Sequence, residues 1–289
     1  MRPYLVLFIA LIGISVAAPL VRLSHADPLA IAVWRLGFSL VIIAGFLIQS
    51  GTWRQWLTLT RPDLGVALGA GAVLAVHFWS WNASVGMTTV AASVVLVNIQ
   101  PAVVVLLSVV WLSERPSRKQ LAGIAVAMLG AVIVAAPDLS TGGGAHGTRA
   151  LIGDGLAVLG GVAGAIYYTA GRRLRRTLDL WAYVGLVYGA CFVTLLLFAA
   201  IFRVRVAPQP PRELIIFVAL AVGPMMLGHT GLNWALRYLP AYVVNLTTLG
   251  EPVGATMLAA AIPGIGEIPS VITLVGGAVL LAGVVVAAG

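Results

Sequence analysis

Long apolar stretches alternate with short polar breaks along almost the whole chain. Tyr4–Val21, Leu36–Trp53 and Leu180–Phe202 carry no charged residue, and each is close to the roughly 20 residues that a spanning helix needs. Leu64–Ser113 is also free of charge but is 50 residues long, so it must hold two helices that break near Ser84–Thr89. The pattern predicts an all-α, polytopic membrane protein with ten transmembrane helices. We expect them at residues 4–22, 28–48, 63–83, 88–112, 119–136, 151–171, 180–201, 212–236, 240–262 and 270–288.

One helix in each half of the chain carries a polar residue directly before a proline. The loop that follows this helix carries a second signal, Glu-x-Pro. The two copies are Gln100-Pro101 with Glu114 and Pro116, and Glu251-Pro252 with Glu267 and Pro269. The offset is 151 residues at the first proline (252 − 101) and 153 at the loop glutamate (267 − 114). A shift near half the chain length indicates two copies of one unit. We predict five-helix repeats at residues 1–137 and 150–289, joined by a flexible loop at 138–149 into one membrane domain.

An odd number of spans per repeat makes the two copies enter the membrane from opposite sides, and inverted repeats of this kind surround a central cavity in many carriers. Lysine and arginine set the orientation, because cytoplasmic loops carry more of them. Of the 17 such residues, eleven lie on the side of the N-terminus, five lie on the other side, and Arg35 lies within a span. Both termini are therefore predicted to be cytoplasmic.

Composition agrees with a membrane protein and excludes several other classes. Hydrophobic residues make up 61% of the chain and charged residues 9%, whereas a soluble domain carries about 25% charged residues. The net charge of +8 is attributed to basic cytoplasmic loops, and no basic run interleaves with aromatics as a nucleic-acid site would require. Cys191 is the only cysteine, so an internal disulfide is impossible. No cofactor and no metal site is predicted.

Glu251 is the sharpest candidate for chemistry, because polar groups within spans are costly and usually functional. It is the only carboxyl group near the middle of a span, and Gln100 is its equivalent in the first repeat. A titratable Glu251 binds a substrate amine or carries a proton; a neutral Glu251 hydrogen-bonds backbone groups that Pro252 frees. Pro101 and Pro252 are predicted hinges, with a passive kink as the alternative.

A face of polar and aromatic residues is predicted on the third and eighth spans. Asn82 matches Asn233 and Phe78 matches His229 at the offset of 151, and steps of four place each pair on one helix face. Such a lining suits a small organic solute with amine, carboxylate and ring groups. The predicted substrate-binding set is His77, Phe78, Trp81, Asn82, Gln100, Tyr167, His229, Asn233 and Glu251.

Other residues receive structural interpretations. Tyr167 and Tyr168 are neighbours, so at most one faces the centre, and Tyr167 is assigned to the site. Arg35 lies about two turns into its span, where it attracts a carboxylate or extends outward along its stem towards the membrane surface; the outward direction is the preferred interpretation. The remaining structural assignments are close helix packing at Gly65/Gly69 and Gly160/Gly164, and backbone capping at Glu114 and Glu267 of the helix that follows each.

These features together resemble a known family, the drug/metabolite transporter superfamily in its ten-helix EamA branch, and within it the amino-acid exporters of the YddG type. The matching residues are Trp34-Arg35-Leu36, Gln100-Pro101, Leu112-Ser113-Glu114-Arg115-Pro116, Gly123 with Gly130, Glu251-Pro252, Glu267, and Gly276 with Gly283. The resemblance implies export of amino acids and related metabolites across a bacterial inner membrane. It also implies a central cavity lined by spans 1, 3, 4, 6, 8 and 9.

The sequence thus predicts a carrier for aromatic or broadly neutral amino acids that works by alternating access in the lipid bilayer. The proton is an open candidate for the coupling ion. An exporter of other small metabolites or drugs and a passive facilitator or channel are the alternatives. A membrane-embedded enzyme is disfavoured, because the chain has no paired-carboxylate site, zinc-protease motif or Ser/His dyad in a glycine-rich context.

Overall fold

The structure is a computed structural model that describes residues 3–113, 116–140, 147–268 and 270–288. These residues form helices joined by short turns and loops. In chain order the helices are α1 (Pro3–Ser15), α2 (Ala17–Leu23), α3 (Pro28–Ser50), α4 (Arg61–Met87), α5 (Val90–Val97), α6 (Gln100–Leu107), α7 (Arg118–Ser140), α8 (Gly147–Leu174), α9 (Leu180–Ile201), α10 (Pro211–Leu220), α11 (Thr230–Ala235), α12 (Ala241–Thr248), α13 (Glu251–Ala261) and α14 (Val271–Ala288). A 3-10 helix covers Thr52–Thr58, and π-helical segments cover Ser108–Leu112 and Ala221–His229.

Within the described residues, seven helical stretches are long and apolar enough to cross a membrane. They are Pro3–Leu23, Pro28–Ser50, Arg61–Met87, Val90–Leu112, Thr148–Leu174, Leu180–Ile201 and Pro211–Ala235. The three other predicted spans coincide with α7, with α12 and α13 together, and with α14. The prediction of an all-α, polytopic membrane protein is confirmed.

Side-chain caps explain where several spans begin. Asp27 accepts a hydrogen bond from the Leu29 amide at the start of α3, and Pro28 occupies the first turn, where its missing amide is not needed. Thr60 caps α4 in the same way. Thr89 accepts from the Ala92 amide and starts α5 directly after α4 ends, which divides the long charge-free stretch where the sequence predicted.

The two prolines that mark the repeat each open a new helix. Gln100 is the first residue of α6 and Glu251 the first residue of α13, so the single helices predicted at 88–112 and 240–262 are wrong in this detail. Just before each break, the amides of Asn98 and Leu249 bond to carbonyls three residues back, at 3.1 Å in both cases. A proline removes an amide from the next turn, and this tighter turn accommodates the loss.

Two further spans are irregular where the sequence predicts plain helices. The first span is divided into α1 and α2 at Val16. The eighth span runs through α10, the π-helical segment Ala221–His229 and α11, and Pro224 lies inside the π-helical segment. Wide π-helical turns occur where an α-helical ladder is disturbed and are frequent at functional sites.

The pairs of spans that pack together are symmetric between the two halves of the chain. The fifth and tenth spans pair as α7 with α14, the second and seventh as α3 with α9, and the fourth and ninth as α5 and α6 with α13 and α12. The third span packs against the sixth as α4 with α8, and its counterpart is the first span against the π-helical segment of the eighth. Exchanging the halves leaves this set of pairs unchanged, which is the pattern of two repeats related by a two-fold axis.

Close packing at glycines follows one predicted pair and not the other. Added Cβ atoms at Gly160 and Gly164 would meet α4 and Gln100, whereas Gly65 and Gly69 face open space. The packing prediction is therefore right for α8 and wrong for the start of α4. A tight contact also joins the two halves at the edge of the bundle, where Gly283 lies against Ala127.

The predicted connecting loop at 138–149 is shorter than expected. Helix α7 continues to Ser140 and α8 begins at Gly147, so helices enter the predicted loop from both sides. Residues 141–146 lie outside the described residues, as do Glu114 and Pro269.

Candidate functional site

A small cavity of about 30 Å³ lies between the two halves of the chain at the level of the broken helices. It has room for one or two water molecules, since a site needs about 10–15 Å³ to hold one. Its lining is Ile14, Ala17, Arg35, His77, Trp81, Val97, Gln100, Tyr168, His229, Thr248 and Glu251. The first, second, third, fourth, sixth, eighth and ninth spans therefore contribute, which adds the second span to the predicted set.

Arg35 corrects the sequence-based interpretation most strongly. Its side chain does not reach outward; it is 1% exposed and lines the cavity. The carbon of its guanidinium lies 4.4 Å from the centre of the Phe78 ring, which is a cation–π contact. None of its three guanidinium nitrogens has a hydrogen-bond partner among the described residues. Buried charged groups normally have partners, so this arrangement calls for an explanation by ligand or water.

Glu251 and Gln100 face the cavity from equivalent positions in the two repeats. Glu251 is 8% exposed at the first residue of α13, and Gln100 is buried at the first residue of α6. The Gln100 Oε1 atom has no hydrogen-bond partner within the described part of the chain. Broken helices place polar residues and free helix starts at the binding sites of many carriers. The predicted pairing of these two residues at one site thus matches their location.

Two histidines complete the polar wall. The Nδ1 atom of His77 lies 2.8 Å from the Gly160 carbonyl oxygen, and the Nδ1 atom of His229 lies 3.0 Å from the Tyr168 hydroxyl. The two imidazole rings are 5.9 Å apart at an angle of 69°. Each histidine is therefore held by one nitrogen, and its orientation is fixed by a partner on α8.

Gly164 makes room for this wall. A Cβ atom there would lie 2.8 Å from Gln100 Cδ and 3.1 Å from His77 Nδ1, which is closer than side-chain atoms normally approach. The absence of a side chain on α8 allows residues of two other spans to meet at the cavity.

Four of the predicted binding residues do not line the cavity, namely Phe78, Asn82, Tyr167 and Asn233. Phe78 is fully buried beneath Arg35, and Asn82 donates to the Pro28 carbonyl at 3.2 Å. Asn233 donates to the Tyr167 hydroxyl and to the His229 carbonyl, the latter at 2.8 Å. These side chains support the lining from behind.

Arg35 and Tyr168 line the cavity, although neither was predicted to do so. Tyr168 occupies the position that we assigned to its neighbour Tyr167. The signal for Arg35 was present, since a charge within a span is a functional candidate by default. Arginine side chains within spans often extend towards the membrane surface, and for this reason Arg35 was not predicted to line the cavity.

Polar contacts join helices at the end of the bundle where the first span finishes. Arg22 forms an ion pair with Glu267 at 2.7 Å and donates to the carbonyls of Val85 and Thr88. Glu267 also accepts from the Val90 amide at 3.0 Å. The capping role predicted for Glu267 is thus real, but the capped helix is α5 and not the helix that follows Glu267.

A second group of polar contacts joins helices at the opposite end. Asp179 accepts from the Gln55 side chain and from Arg237, the latter at 3.0 Å. The hydrogen bond from Gln55, together with Arg237, lowers the pKa of the Asp179 carboxyl below its usual range. Arg175, which is buried, donates to the Asn233 carbonyl at 3.1 Å and so links this end to the residues behind the cavity.

A family model described as the EamA-like transporter family matches the chain twice, at residues 1–136 and 151–289. Each match covers one half of the chain. The same family unit therefore occurs once on either side of the segment around residue 140.

Two curated proteins resemble parts of the chain. One, from Archaeoglobus fulgidus, is described as an uncharacterized transporter and is 28% identical over 162 residues, which cover 56% of this chain and 54% of that protein. The other, from Streptantibioticus cattleyicolor, is described as a probable terminal-alkyne amino-acid exporter and is 31% identical over 196 residues, which cover 65% of this chain and 61% of that protein. The aligned part of the chain thus spans little more than half the length of these relatives.

A solved structure shares the fold. This structure, described only as "Crystal structure of protein", aligns with a TM-score of 0.75 at 19% identity, and the alignment covers 99% of this chain and 96% of the other. At this identity the likeness concerns the arrangement of helices alone.

Proposed function

Because the chain belongs to the EamA-like transporter family, we propose that it exports aromatic or broadly neutral amino acids and related metabolites by alternating access. At a coarser level, the chain is a multi-pass membrane transporter and not an enzyme. The relative described as an amino-acid exporter supports the finer substrate class. We further propose a bacterial inner membrane as the location, with both termini in the cytoplasm.

The observation that carries this proposal is the cavity at the breaks of the two repeat-equivalent spans. Its lining combines a guanidinium, a carboxyl group, an amide and two imidazoles with the indole of Trp81. Small-molecule sites have this composition, in which a few polar groups orient the solute within apolar walls. An amino acid offers matching groups, since every one has the same two charged ends and a variable side chain.

Roles for the predicted residues follow from their locations. In this proposal Gln100, His77, His229 and Glu251 contact polar groups of the substrate, and Trp81 contacts its side chain. Phe78, Asn82, Tyr167 and Asn233 hold the lining in place from the second layer. The hinges would lie at Pro101 and Pro252, where the spans are already broken.

The size of the cavity supports a moving carrier over a permanently open pore. A space of about 30 Å³ has room for only one or two water molecules, so the helices around it must move apart before a substrate fits. An ion pair joins helices at each end of the bundle. With the proposed orientation, the Arg22–Glu267 pair lies at the outer end and the Asp179–Arg237 pair at the cytoplasmic end.

Counterflow in proteoliposomes tests the proposal. If the protein is a carrier, vesicles that contain it and are preloaded with unlabelled amino acid take up labelled amino acid faster than vesicles without that load. The reason is that exchange avoids the slow return of the unloaded protein across the membrane. We expect such trans-stimulation with phenylalanine and leucine. Uptake without trans-stimulation would instead indicate a passive facilitator, and no uptake of any amino acid would indicate a different class of metabolite.

The proton is our candidate coupling ion, because Glu251 is a titratable group on the cavity wall. An imposed pH gradient should then drive net amino-acid flux in the wild-type protein. The Glu251→Gln variant should lose this dependence on the gradient. An equal response of both proteins would exclude proton coupling through this residue.

A further inference from the structure

Two buried charges from different repeats share the cavity without pairing with each other. Arg35 comes from the first repeat and Glu251 from the second, and both line the same space of about 30 Å³. The ion pairs formed among the described residues include neither of them.

Of these two residues, only Arg35 has buried side-chain atoms without a hydrogen-bond partner among the described residues. Its guanidinium is 1% exposed, and all three nitrogens are buried without a hydrogen-bond partner among the described residues. The contact with the Phe78 ring returns only a small part of what the removal from water costs. A buried charge in this condition is a candidate binding group for an anion.

The other titratable side chains on the cavity wall do not supply that anion. They are His77, His229 and Tyr168, which are neutral or cationic. The Tyr168 hydroxyl and both histidines already have partners of their own. Gln100 offers a carbonyl oxygen without a partner in the described part of the chain, which is a weak acceptor compared with a carboxylate.

We propose that Arg35 binds the α-carboxylate of the transported amino acid while Glu251 binds its α-ammonium group, so that the substrate joins the two repeats. This inference rests on the proposed function. A planar guanidinium donates two parallel hydrogen bonds to a carboxylate, and Phe78 holds that plane on one side. The apolar and aromatic wall from Trp81 and Ile14 is left for the variable side chain.

This arrangement defines which solutes are accepted. An amine that lacks the carboxylate leaves Arg35 unpaired, and a carboxylic acid that lacks the amine leaves Glu251 without a cationic partner. A site with buried polar groups rejects a ligand that fails to satisfy one of them far more strongly than a ligand with a slightly different side chain. We therefore expect strict selection for both charged ends and tolerance towards the side chain.

Competition against phenylalanine counterflow tests the inference with the full-length protein in proteoliposomes. The competitors are unlabelled phenylalanine, 2-phenylethylamine, which lacks the carboxylate, and 3-phenylpropionate, which lacks the ammonium group. In the wild-type protein we expect phenylalanine to compete at least about tenfold better than either analogue. Equal competition by 2-phenylethylamine would overturn the assignment of Arg35 without any variant.

Variants separate the two ends. Arg35→Gln should reduce the preference for phenylalanine over 2-phenylethylamine to about one, with the preference over 3-phenylpropionate retained; Glu251→Gln should do the reverse. Arg35→Lys, which keeps the charge but loses the planar fork, should fall between wild type and Arg35→Gln. Arg205→Gln, at an exposed loop position, is the matched control and should behave as wild type.

Each outcome has one meaning. Counterflow with phenylalanine but unchanged preferences in both variants would overturn this inference and leave the proposed function intact. No counterflow with any amino acid in the wild-type protein would overturn the proposed function and this inference with it. If Arg35→Gln fails to fold, as judged by its elution from a sizing column, the wild-type preferences and Glu251→Gln still decide.

Discussion

The two broken spans use the same architecture to present different chemistry. The fourth span breaks before Gln100 and the ninth breaks before Glu251. Each of these two residues directly precedes a proline and lines the cavity. The first repeat supplies an amide at this position and adds a buried cation, Arg35, from another span; the second supplies the carboxyl group. Duplication thus accounts for the frame, and two differences between the repeats, Gln100 against Glu251 and the presence of Arg35, account for the polarity of the site.

Truncation of Glu251 and of Gln100 should give the largest effects and should differ between the two residues. Hydrogen bonds to charged groups contribute about 1.5–3 kcal/mol and neutral ones about 1 kcal/mol, so Glu251→Ala should weaken substrate binding roughly 10- to 100-fold and Gln100→Ala about fivefold. The measurement is the half-saturating concentration for counterflow. Equal losses in the two variants would mean that the charge of Glu251 has no special role.

A change in packing next to Gln100 should give the next largest effect. Gly164→Ala introduces a Cβ against Gln100 and His77, and overpacking of this kind costs about 1–3 kcal/mol. We expect a lower midpoint of thermal unfolding in detergent. Gly69→Ala, at an exposed position with open space around it, is the matched control and should be neutral or stabilising by up to about 1 kcal/mol. Equal midpoints would show that α8 can move away from α4.

The prolines test whether the two breaks move alike. Because Pro101 and Pro252 each lack an amide within a span, alanine in their place restores a possible helical hydrogen bond and should stiffen the break. We expect each variant to slow counterflow by roughly two- to tenfold with little change in the half-saturating concentration. Changed affinity with an unchanged rate would assign the prolines to binding instead.

The ion pairs at the two ends of the bundle should give the smallest effects. Glu267 is 25% exposed and also accepts from the first amide of α5, whereas Asp179 is 46% exposed. Glu267→Gln should therefore cost about 1 kcal/mol, and Asp179→Asn less than about 0.5 kcal/mol. The reverse order in unfolding midpoints would contradict this ranking.

The effect of Asp179 should also depend on pH. Since Gln55 and Arg237 lower the pKa of this carboxyl in the folded protein, its contribution is present above the ordinary aspartate value and is lost as pH falls through the lowered one. The difference in unfolding midpoint between wild type and Asp179→Asn should therefore shrink from about pH 7 towards about pH 3. A constant difference would separate Asp179 from any ionisation effect.

The frame of this protein was predictable because apolar length and internal repetition are strong signals. The spans, the pairing of Gln100 with Glu251 and the break at Thr89 all follow from residue types and spacing. The division of the fourth and ninth spans was less accessible, because a proline inside an apolar run is compatible with either a kink or a full break.

The candidate site was only partly predictable, because helix periodicity fixes a face and not the neighbour that meets it. Asn82 and Asn233 share faces with site residues, yet both are used to bond nearby carbonyls. Tyr168 lies on the cavity in place of Tyr167 because α8 turns that side inward. The direction of the Arg35 side chain was not predictable, because a long side chain can extend either way along its helix. The packing against Phe78 decides the direction.

The smallness of the central space has a thermodynamic consequence. The cavity has room for only one or two waters. Part of the free energy of substrate binding must therefore offset the cost of separating the helices. The measured dissociation constant then equals the intrinsic one divided by the fraction of molecules that are already expanded. We therefore expect a weak apparent affinity for the substrate. A weak affinity favours rapid release of the substrate at the second face of the membrane over tight binding at the first.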